Sequence, residues 1–460
     1  MRTTRPRLTH ALVATTLGVY ALLVVGATTA LTDAASACRT WPACNGEWFA
    51  LSSFALEVVW AHRLAAVVVG LLVLGTTALA VLEDAETRVV ASLGVSLALY
   101  PVQVGVGALA ATGALAYVPA LHLGLGVVIF AGLILALAWT LETQTADRPS
   151  AEWAGEPKDG TGGAVDDDGN SPSGPLALAN AYFRMMKPRL MWLLCLVASA
   201  GMALAAGPDL SARTVVFTLL GGVLSIGASG TFNHVLEREK DKKMNRTSDR
   251  PLATELIPKR NAFAFGVLLT VASVAVFLQV GMLAAGLGLV AILFYSVVYT
   301  LLLKPNTDQN TVIGGAAGAL PALIGWAAVT GTLGVPALAL AGVIFLWTPA
   351  HFYNLALAYR DDYERGGFPM MPVVRGAAVT RKHIVGWLGA TLVGAAALAA
   401  VTDLGWLYAA TVVALGGVFL WAVVRLHYER DRAAAMRSFH ASNAFLGATL
   451  LAVVLDALVI

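Results

Sequence analysis

The chain has 460 residues, of which 58% are hydrophobic and only 13% charged, and its formal net charge is +2. A soluble domain carries about 25% charged residues, so this composition excludes an ordinary soluble protein. Long apolar runs predict about thirteen transmembrane helices and an all-α, polytopic membrane fold. The predicted spans cover roughly residues 10–31, 57–82, 89–112, 117–141, 190–206, 213–236, 261–280, 282–303, 311–330, 335–358, 383–401, 404–425 and 440–460.

A polar stretch interrupts the series after the fourth span. Residues 142–178 are rich in Gly, Pro, Ser and Asp and lack periodicity, which is typical of a flexible linker. The sequence therefore predicts a four-helix domain at 1–141, a cytoplasmic linker at 142–178 and a nine-helix domain at 179–460.

Basic residues concentrate on one side of the predicted membrane. Arg2, Arg5 and Arg7 precede the first span, which predicts a cytoplasmic N-terminus by the positive-inside rule. Counting spans forward assigns to the same side the loops near 237–260, 304–310, 359–382 and 426–439. These loops hold most of the basic residues, so we expect a multi-pass protein of the cell membrane with its polar site facing the cytoplasm.

Two histidines lie inside the four-helix domain, near the outer ends of its second and fourth spans. A histidine inside a membrane is costly and indicates function by default. His62 and His122 at similar depth predict two ligands to one heme iron, although either ring could instead bond a backbone carbonyl. Cys38 and Cys44 lie in an external loop, where thiols oxidise, and predict a disulfide.

An acidic stripe marks the cytoplasmic end of the sixth span. Asn233, Glu237 and Asp241 are spaced four residues apart, which puts them on one helical face with about 6 Å between successive Cα atoms. Carboxylate and amide oxygens suit Mg²⁺ when substrate phosphates complete its coordination. A solvated, mixed-charge helix end is the alternative interpretation.

A second acidic cluster follows the tenth span. Asp361, Asp362 and Glu364 are expected at the same depth, and two such clusters could hold two Mg²⁺ ions on a diphosphate. Cations in neighbouring loops could complete a diphosphate clamp, or they could serve only to fix topology. These cations are Arg246, Arg250 and Lys304.

The motif N-x3-E-x3-D-x2-M-x-R-T, starting at Asn233, resembles the UbiA family of intramembrane prenyltransferases, and the resemblance covers about residues 178–460. The segments WTPAHFYNLAL…DDYERGGFPMMPVV and LKPNTDQNTVIGGAAGALPALIGW resemble its branch that farnesylates protoheme. Two positions depart from the family pattern. Glu237 stands where Asp is usual, and Ala358 stands where the second motif often has an acid.

This resemblance implies a helical bundle with a cavity open to the cytoplasm and to lipid. It implies that farnesyl diphosphate ionises with Mg²⁺ bound, and that a vinyl group of protoheme IX attacks the allylic cation. Water then completes hydroxyethylfarnesyl heme. His351 is expected to contact the heme, and Asn310 is expected to line the cavity. A packing histidine and a solvated loop amide are the respective alternatives.

The loop CRTWPACNG, with HR on the next helix, resembles the heme A synthase family. That family has two four-helix halves, whereas this chain has one. It also places Glu three residues before the first histidine, where this chain has Val59, and the nearest acid is Glu57. Three roles for the domain stay open: heme delivery, product binding, and pairing with a second copy. Expected partners are the lipid bilayer and either heme A synthase or another copy, with no nucleic acid.

Two other functions compete with heme farnesylation. Another aromatic or lipid prenyltransferase of the same fold would not need His351 or the N-terminal histidine pair. A heme carrier would use the histidines but leave the acidic stripe unexplained. A bifunctional enzyme that also oxidises its farnesylated product is a third option.

Overall fold

The computed structural model describes residues 6–31, 37–44, 46–49, 51–113, 117–145 and 174–459. These residues form sixteen α-helices and contain no β-strand beyond an isolated bridge between Cys44 and Glu47. Thirteen helices of this described part are long and apolar enough to cross a membrane. The predicted all-α, multi-pass membrane fold is therefore confirmed.

The first four helices match the first four predicted spans. They are α1 (Pro6–Leu31), α2 (Phe54–Leu82), α3 (Thr87–Ala111) and α4 (Val118–Thr145). Helix α1 packs against α2 and α4, and α3 packs against α4. A methyl group at Gly132 would lie 2.3 Å from Ser96 Oγ, so this glycine permits the close α3–α4 crossing that small residues favour in membranes.

Nine helical elements follow the polar stretch. They are α5 (Pro175–Met185), α6 (Pro188–Ala206), α7 (Ala212–Asp241), α8 (Lys259–Phe277), α9 (Met282–Leu293), α10 (Asn310–Thr330), α11 (Val335–Ala358), α12 (Arg360–Arg365) and α13 (Met371–Val374). Helix α9 continues directly as a π-helix over Phe294–Leu303. Helices α6 and α10 cross closely, because methyl groups at Gly201 and Gly325 would lie 2.4 Å and 2.1 Å from backbone oxygens of the facing helix.

Three long helices complete the chain: α14 (Gly376–Ala400), α15 (Trp406–Glu429) and α16 (Arg432–Val459). By proximity the helices form two units. The first contains α1–α4, α15, most of α14 and residues 440–445. The second contains α5–α13 and the remainder of α16. The division of the sequence at 1–141, 142–178 and 179–460 remains a proposal, and residues 146–173 of the expected linker lie outside the described residues.

Candidate active site

The acidic stripe lies on the last turns of α7 and is buried. Asn233, Glu237 and Asp241 are 2%, 4% and 2% exposed. Their spacing of four residues aligns them on one face of an unbroken helix. Buried carboxylates are strongly destabilising unless opposite charges and hydrogen bonds compensate them. The side chains around the stripe must therefore compensate the cost of burying its carboxylates.

Each side chain of the stripe faces a different cationic group. Lys187 Nζ donates to Asn233 Oδ1. Lys304 Nζ donates to Glu237 Oε1 at 2.5 Å. The guanidinium of Arg250 donates to both oxygens of Asp241 at 2.9 Å.

The three cationic groups come from three separate parts of the second unit. Lys187 caps the start of α6, Lys304 follows the π-helix, and Arg250 lies in the loop after α7. The sequence had indicated Lys304 and Arg250 as clamp residues, and the structure brings both to the stripe.

The π-helix determines which side chains of its segment face the stripe. Its wider turn is seen in the bond from Lys304 N to Tyr299 O at 2.8 Å, five residues back. Thr300, in the same segment, accepts a hydrogen bond from Asn233 Nδ2 at 3.3 Å. Short π segments occur frequently at functional sites because they rotate side chains out of α-helical register. Here the segment directs Thr300 and Lys304 to the same row of oxygens.

Asp362 joins the second acidic segment to the loop after the stripe. It is fully buried. One oxygen accepts the backbone N–H of Asn245 at 2.6 Å and a guanidinium N–H of Arg365 at 2.7 Å, and the other accepts the N–H of Arg246 at 3.0 Å. The two acidic segments therefore meet at one end of the bundle, while Asp361 is exposed. Magnesium ligation by Asp361 and Asp362 remains a prediction.

Aromatic rings hold further cations beside the stripe. The Nζ atoms of Lys240 and Lys304 lie 4.3 and 4.4 Å from the ring centroid of Phe368. The guanidinium of Arg246 lies 5.2 and 5.6 Å from the rings of Tyr359 and Tyr363. Contacts of this kind are attractive and strengthen when water is excluded. The site therefore concentrates positive charge around a few acidic oxygens, as binding a polyanion requires.

The pKa values of two basic groups outside the spanning segments, Lys187 and Arg246, are shifted. Burial lowers the pKa of Lys187 to about 7; Arg250 lowers it further, while Glu237 raises it. Burial also acts to lower the pKa of the Arg246 guanidinium, but Tyr363, Tyr359 and Asp362 outweigh burial and raise that pKa. Arg246 is therefore a permanent cation in this site.

The donor set fits a magnesium ion that shares its coordination with a substrate. Within the residues the structure describes, no three His, Cys, Asp or Glu side chains form a metal-binding cluster. The stripe offers the carboxylates of Glu237 and Asp241 and the amide oxygen of Asn233. Such a small set of hard oxygens suits Mg²⁺, which keeps waters and binds substrate phosphates rather than filling a protein cage.

His351 and Asn310 lie in environments that restrict their predicted roles. His351 is stacked between Trp347 at 4.1 Å and Phe439 at 4.3 Å, so both faces of its ring are covered, and its contact with heme remains a prediction. Asn310 is fully buried at the start of α10, donates to Thr307 O at 2.6 Å and accepts from Thr311 Oγ1 at 3.0 Å. Its amide therefore shapes its own turn, and its cavity role remains a prediction.

The two histidines of the first unit each pack against a glycine. Methyl groups at Gly26 and Gly107 would lie 3.3 Å from His62 Cε1 and 2.7 Å from His122 Cε1. His62 lies within electrostatic range of His122 and lines an apolar cavity of about 680 Å³. Its Nδ1 has no hydrogen-bond partner, whereas His122 Nδ1 lies 3.1 Å from Gln103 O. One ring is thus fixed and the other has a free nitrogen.

A disulfide closes the loop above these histidines. Cys38 and Cys44 are bonded, and the guanidinium of Arg63 donates to Pro42 O at 3.0 Å and Thr40 O at 2.9 Å. Arg63 follows His62 on α2, so the loop is held directly over the helix that carries the histidine.

The position that is Glu in heme A synthases carries no acid here. Val59 packs against the disulfide, while Glu57 is exposed. No carboxylate of α2 therefore replaces the missing Glu at that position.

Sequence reasoning missed Lys187, Thr300, Lys240 and Phe368. Lys187 precedes the proline that opens α6, and a basic residue in that place is easily attributed to membrane topology alone. Its partner Asn233 is 46 residues away.

Comparisons with known proteins match two family models to different parts of the chain. The model of the UbiA prenyltransferase family matches residues 193–448, and a model described as cytochrome oxidase assembly protein matches residues 9–158. A protoheme IX farnesyltransferase of Halobacterium salinarum is 64% identical over all of both chains. A protein of that name from Haloarcula marismortui is 59% identical over 98% of each chain.

A solved structure of a digeranylgeranylglyceryl phosphate synthase resembles the fold. It is 14% identical and matches with a TM-score of 0.52, over 61% of this chain and 99% of that one. At this identity the likeness concerns the arrangement of helices alone.

Proposed function

The chain belongs to the UbiA prenyltransferase family, and from this premise we propose that it transfers a farnesyl group from farnesyl diphosphate to a vinyl group of protoheme IX. The product is hydroxyethylfarnesyl heme, known as heme O. That the chain is a prenyltransferase follows from its membership and its full-length relatives. The choice of farnesyl and protoheme is the proposal, and the names of those relatives support it.

One observation carries the chemistry: a buried row of one amide and two carboxylates, each of which contacts a basic side chain. Glu237, Asp241 and the amide oxygen of Asn233 would hold Mg²⁺. Bound there, the ion supplies Lewis-acid stabilisation of the charge on the leaving diphosphate. Lys304 and Arg250 are placed to donate to diphosphate oxygens, which have the geometry that ammonium and guanidinium groups favour.

The bond changes balance without any further reagent. The carbon–oxygen bond of farnesyl diphosphate breaks, and the diphosphate leaves with the electron pair. The vinyl π bond of protoheme attacks the allylic carbon, and water adds to the resulting cation and loses a proton. The cations around the stripe stabilise the departing diphosphate, and the surrounding apolar helices limit access of bulk water to the reacting carbon.

The first unit supports a second proposal, that it binds heme between His62 and His122. The glycines opposite both rings, the free Nδ1 of His62 and the apolar cavity beside it favour this assignment. Val59 in place of the family's Glu argues for delivery or product binding rather than oxidation. Histidines that ligate heme iron are oriented by a partner on their second nitrogen, as Gln103 O would orient His122 through Nδ1. The amide nitrogen of Gln103, 3.4 Å from His122 Nε2, would have to move aside for the iron.

We also propose that the protein lies in the cell membrane with the stripe facing the cytoplasm. The basic loops next to the stripe support this orientation through the positive-inside rule. Single cysteines placed in those loops test it. An impermeant reagent should label them when it is added on the cytoplasmic side and should not label them from the other side.

Product analysis of the purified full chain tests the transfer. Incubation with farnesyl diphosphate, protoheme and Mg²⁺ should yield a heme heavier by a farnesyl group and a hydroxyl group. Asp241→Asn should abolish the product, and Glu239→Gln, whose side chain is 74% exposed on the same helix, should not. Product from a quinone precursor but not from protoheme would favour the aromatic prenyltransferase. Heme binding with no transfer to any acceptor would favour the carrier.

A further inference from the structure

Lys187 lies outside every motif, yet it contacts the first position of the stripe. Its backbone is left-handed, with φ 57° and ψ 56°, which is uncommon for a residue with a Cβ atom. Its Nζ donates to Asn233 Oδ1 and to Tyr295 OH at 3.2 Å, and lies 5.4 Å from the Tyr295 ring centroid. An unfavourable backbone conformation retained beside a reactive site suggests that the side chain is needed there.

The surface of α7 accommodates this junction between α5 and α6. A methyl group at Gly230 would lie 2.8 Å from Met185 O and 3.2 Å from Lys187 Cγ. One at Gly227 would lie 2.7 Å from Met186 Cε. Two glycines one turn apart thus let residues 185–187 sit directly on α7, one turn before Asn233.

Lys187 Nζ donates to Asn233 Oδ1, and in its ammonium form it can only donate, so this contact determines how the amide of Asn233 is turned. The oxygen must face Lys187, and the Nδ2 group is then directed to Thr300 Oγ1 at 3.3 Å. Thr300 is itself anchored by its bond to Tyr295 O at 2.8 Å. The amide is therefore held at both ends, and its oxygen keeps a second lone pair for a metal ion.

We propose that Lys187 is a positioning residue of the prenyl-transfer site, which presents the side-chain oxygen of Asn233 to the metal–diphosphate complex. The inference rests on the proposed function for the identity of that complex. Without Lys187 the amide is free to rotate and to present its NH₂ group, which repels a cation. The expected loss is the one seen when partners of metal ligands are removed, about 10- to 100-fold in metal affinity.

Metal binding and turnover, measured separately, test this role. Mn²⁺ binding by EPR in the presence of farnesyl thiodiphosphate, a non-ionising analogue, reports on the site without turnover. Lys187→Met should weaken Mn²⁺ binding about 10- to 100-fold, and Lys187→Arg should recover part of the loss because guanidinium also only donates. Lys259→Met removes an exposed cation of the same unit and should bind as the wild type does.

A double variant separates positioning from a purely structural role. If Lys187 acts through Asn233, then Lys187→Met adds nothing to the loss caused by Asn233→Ala. Additive losses would overturn the proposal, as would a Lys187→Met protein that melts at lower temperature but binds Mn²⁺ normally. If Lys187→Met weakens Mn²⁺ binding as expected but the wild type yields no farnesylated heme, the proposed acceptor is refuted and this inference remains intact.

Discussion

Replacing Lys304 by Met removes the cation that faces Glu237 and leaves a buried carboxylate without its partner. The two side chains are 14% and 5% exposed, so water cannot replace the lost contact. Breaking a buried ion pair from one side costs about 3–5 kcal/mol. We expect about 3 kcal/mol, the lower end of that range, because Lys187 and Arg250 also act on Glu237.

The comparison with a double variant makes this prediction specific. Glu237→Gln combined with Lys304→Met removes both charges, so it should recover most of the lost stability while remaining inactive. Unfolding in detergent micelles, followed by circular dichroism, measures the differences, and Lys259→Met controls for loss of one positive charge. A Lys304→Met protein as stable as the wild type, or a double variant less stable than Lys304→Met, would refute the electrostatic account of the stripe.

Three further predictions address other parts of the molecule. Asp362→Asn replaces one of the carboxylate oxygens that accept the backbone N–H groups of residues 245–246 by an NH₂ donor. It should speed hydrogen exchange at these two residues and lower turnover about 10- to 100-fold. Unchanged exchange would contradict this. Gly325→Leu should lower stability by about 3 kcal/mol in the same unfolding assay, since the added side chain meets the Ala198 carbonyl, and unaltered unfolding would argue against the α6–α10 crossing. His62→Ala should remove the absorption spectrum of heme bound to the first unit without reducing prenyl transfer from excess free protoheme, whereas His10→Ala, on an exposed position of α1, should leave that spectrum unchanged.

The spans were predictable because lipid imposes a length and a composition on every crossing helix. The stripe was predictable because a spacing of four residues fixes a helical face whatever the tertiary structure. The start of α14 was placed too late, at 383 instead of Gly376, because Arg381, Lys382 and His383 lower the local hydropathy. Burial of Arg381 within the bundle is a tertiary effect that a hydropathy pattern does not contain.

The π-helix and the role of Lys187 were not predictable for related reasons. Hydropathy over Phe294–Leu303 is the same for an α- and a π-helix, so the register of Thr300 and Lys304 depends on packing. The contact from Lys187 to Asn233 joins two segments that local sequence patterns treat separately. The grouping of α15 with the first four helices likewise depends on packing between helices that are apolar on every face.

Affinity for a diphosphate in the presence and absence of magnesium tests the central claim most directly. Calorimetric titration of the full chain with farnesyl thiodiphosphate should show tight binding only when Mg²⁺ is present. In a protein carrying both Glu237→Gln and Asp241→Asn, adding Mg²⁺ should no longer increase the affinity. Equal stimulation by Mg²⁺ in that protein and in the wild type would contradict the claim that the stripe holds the metal.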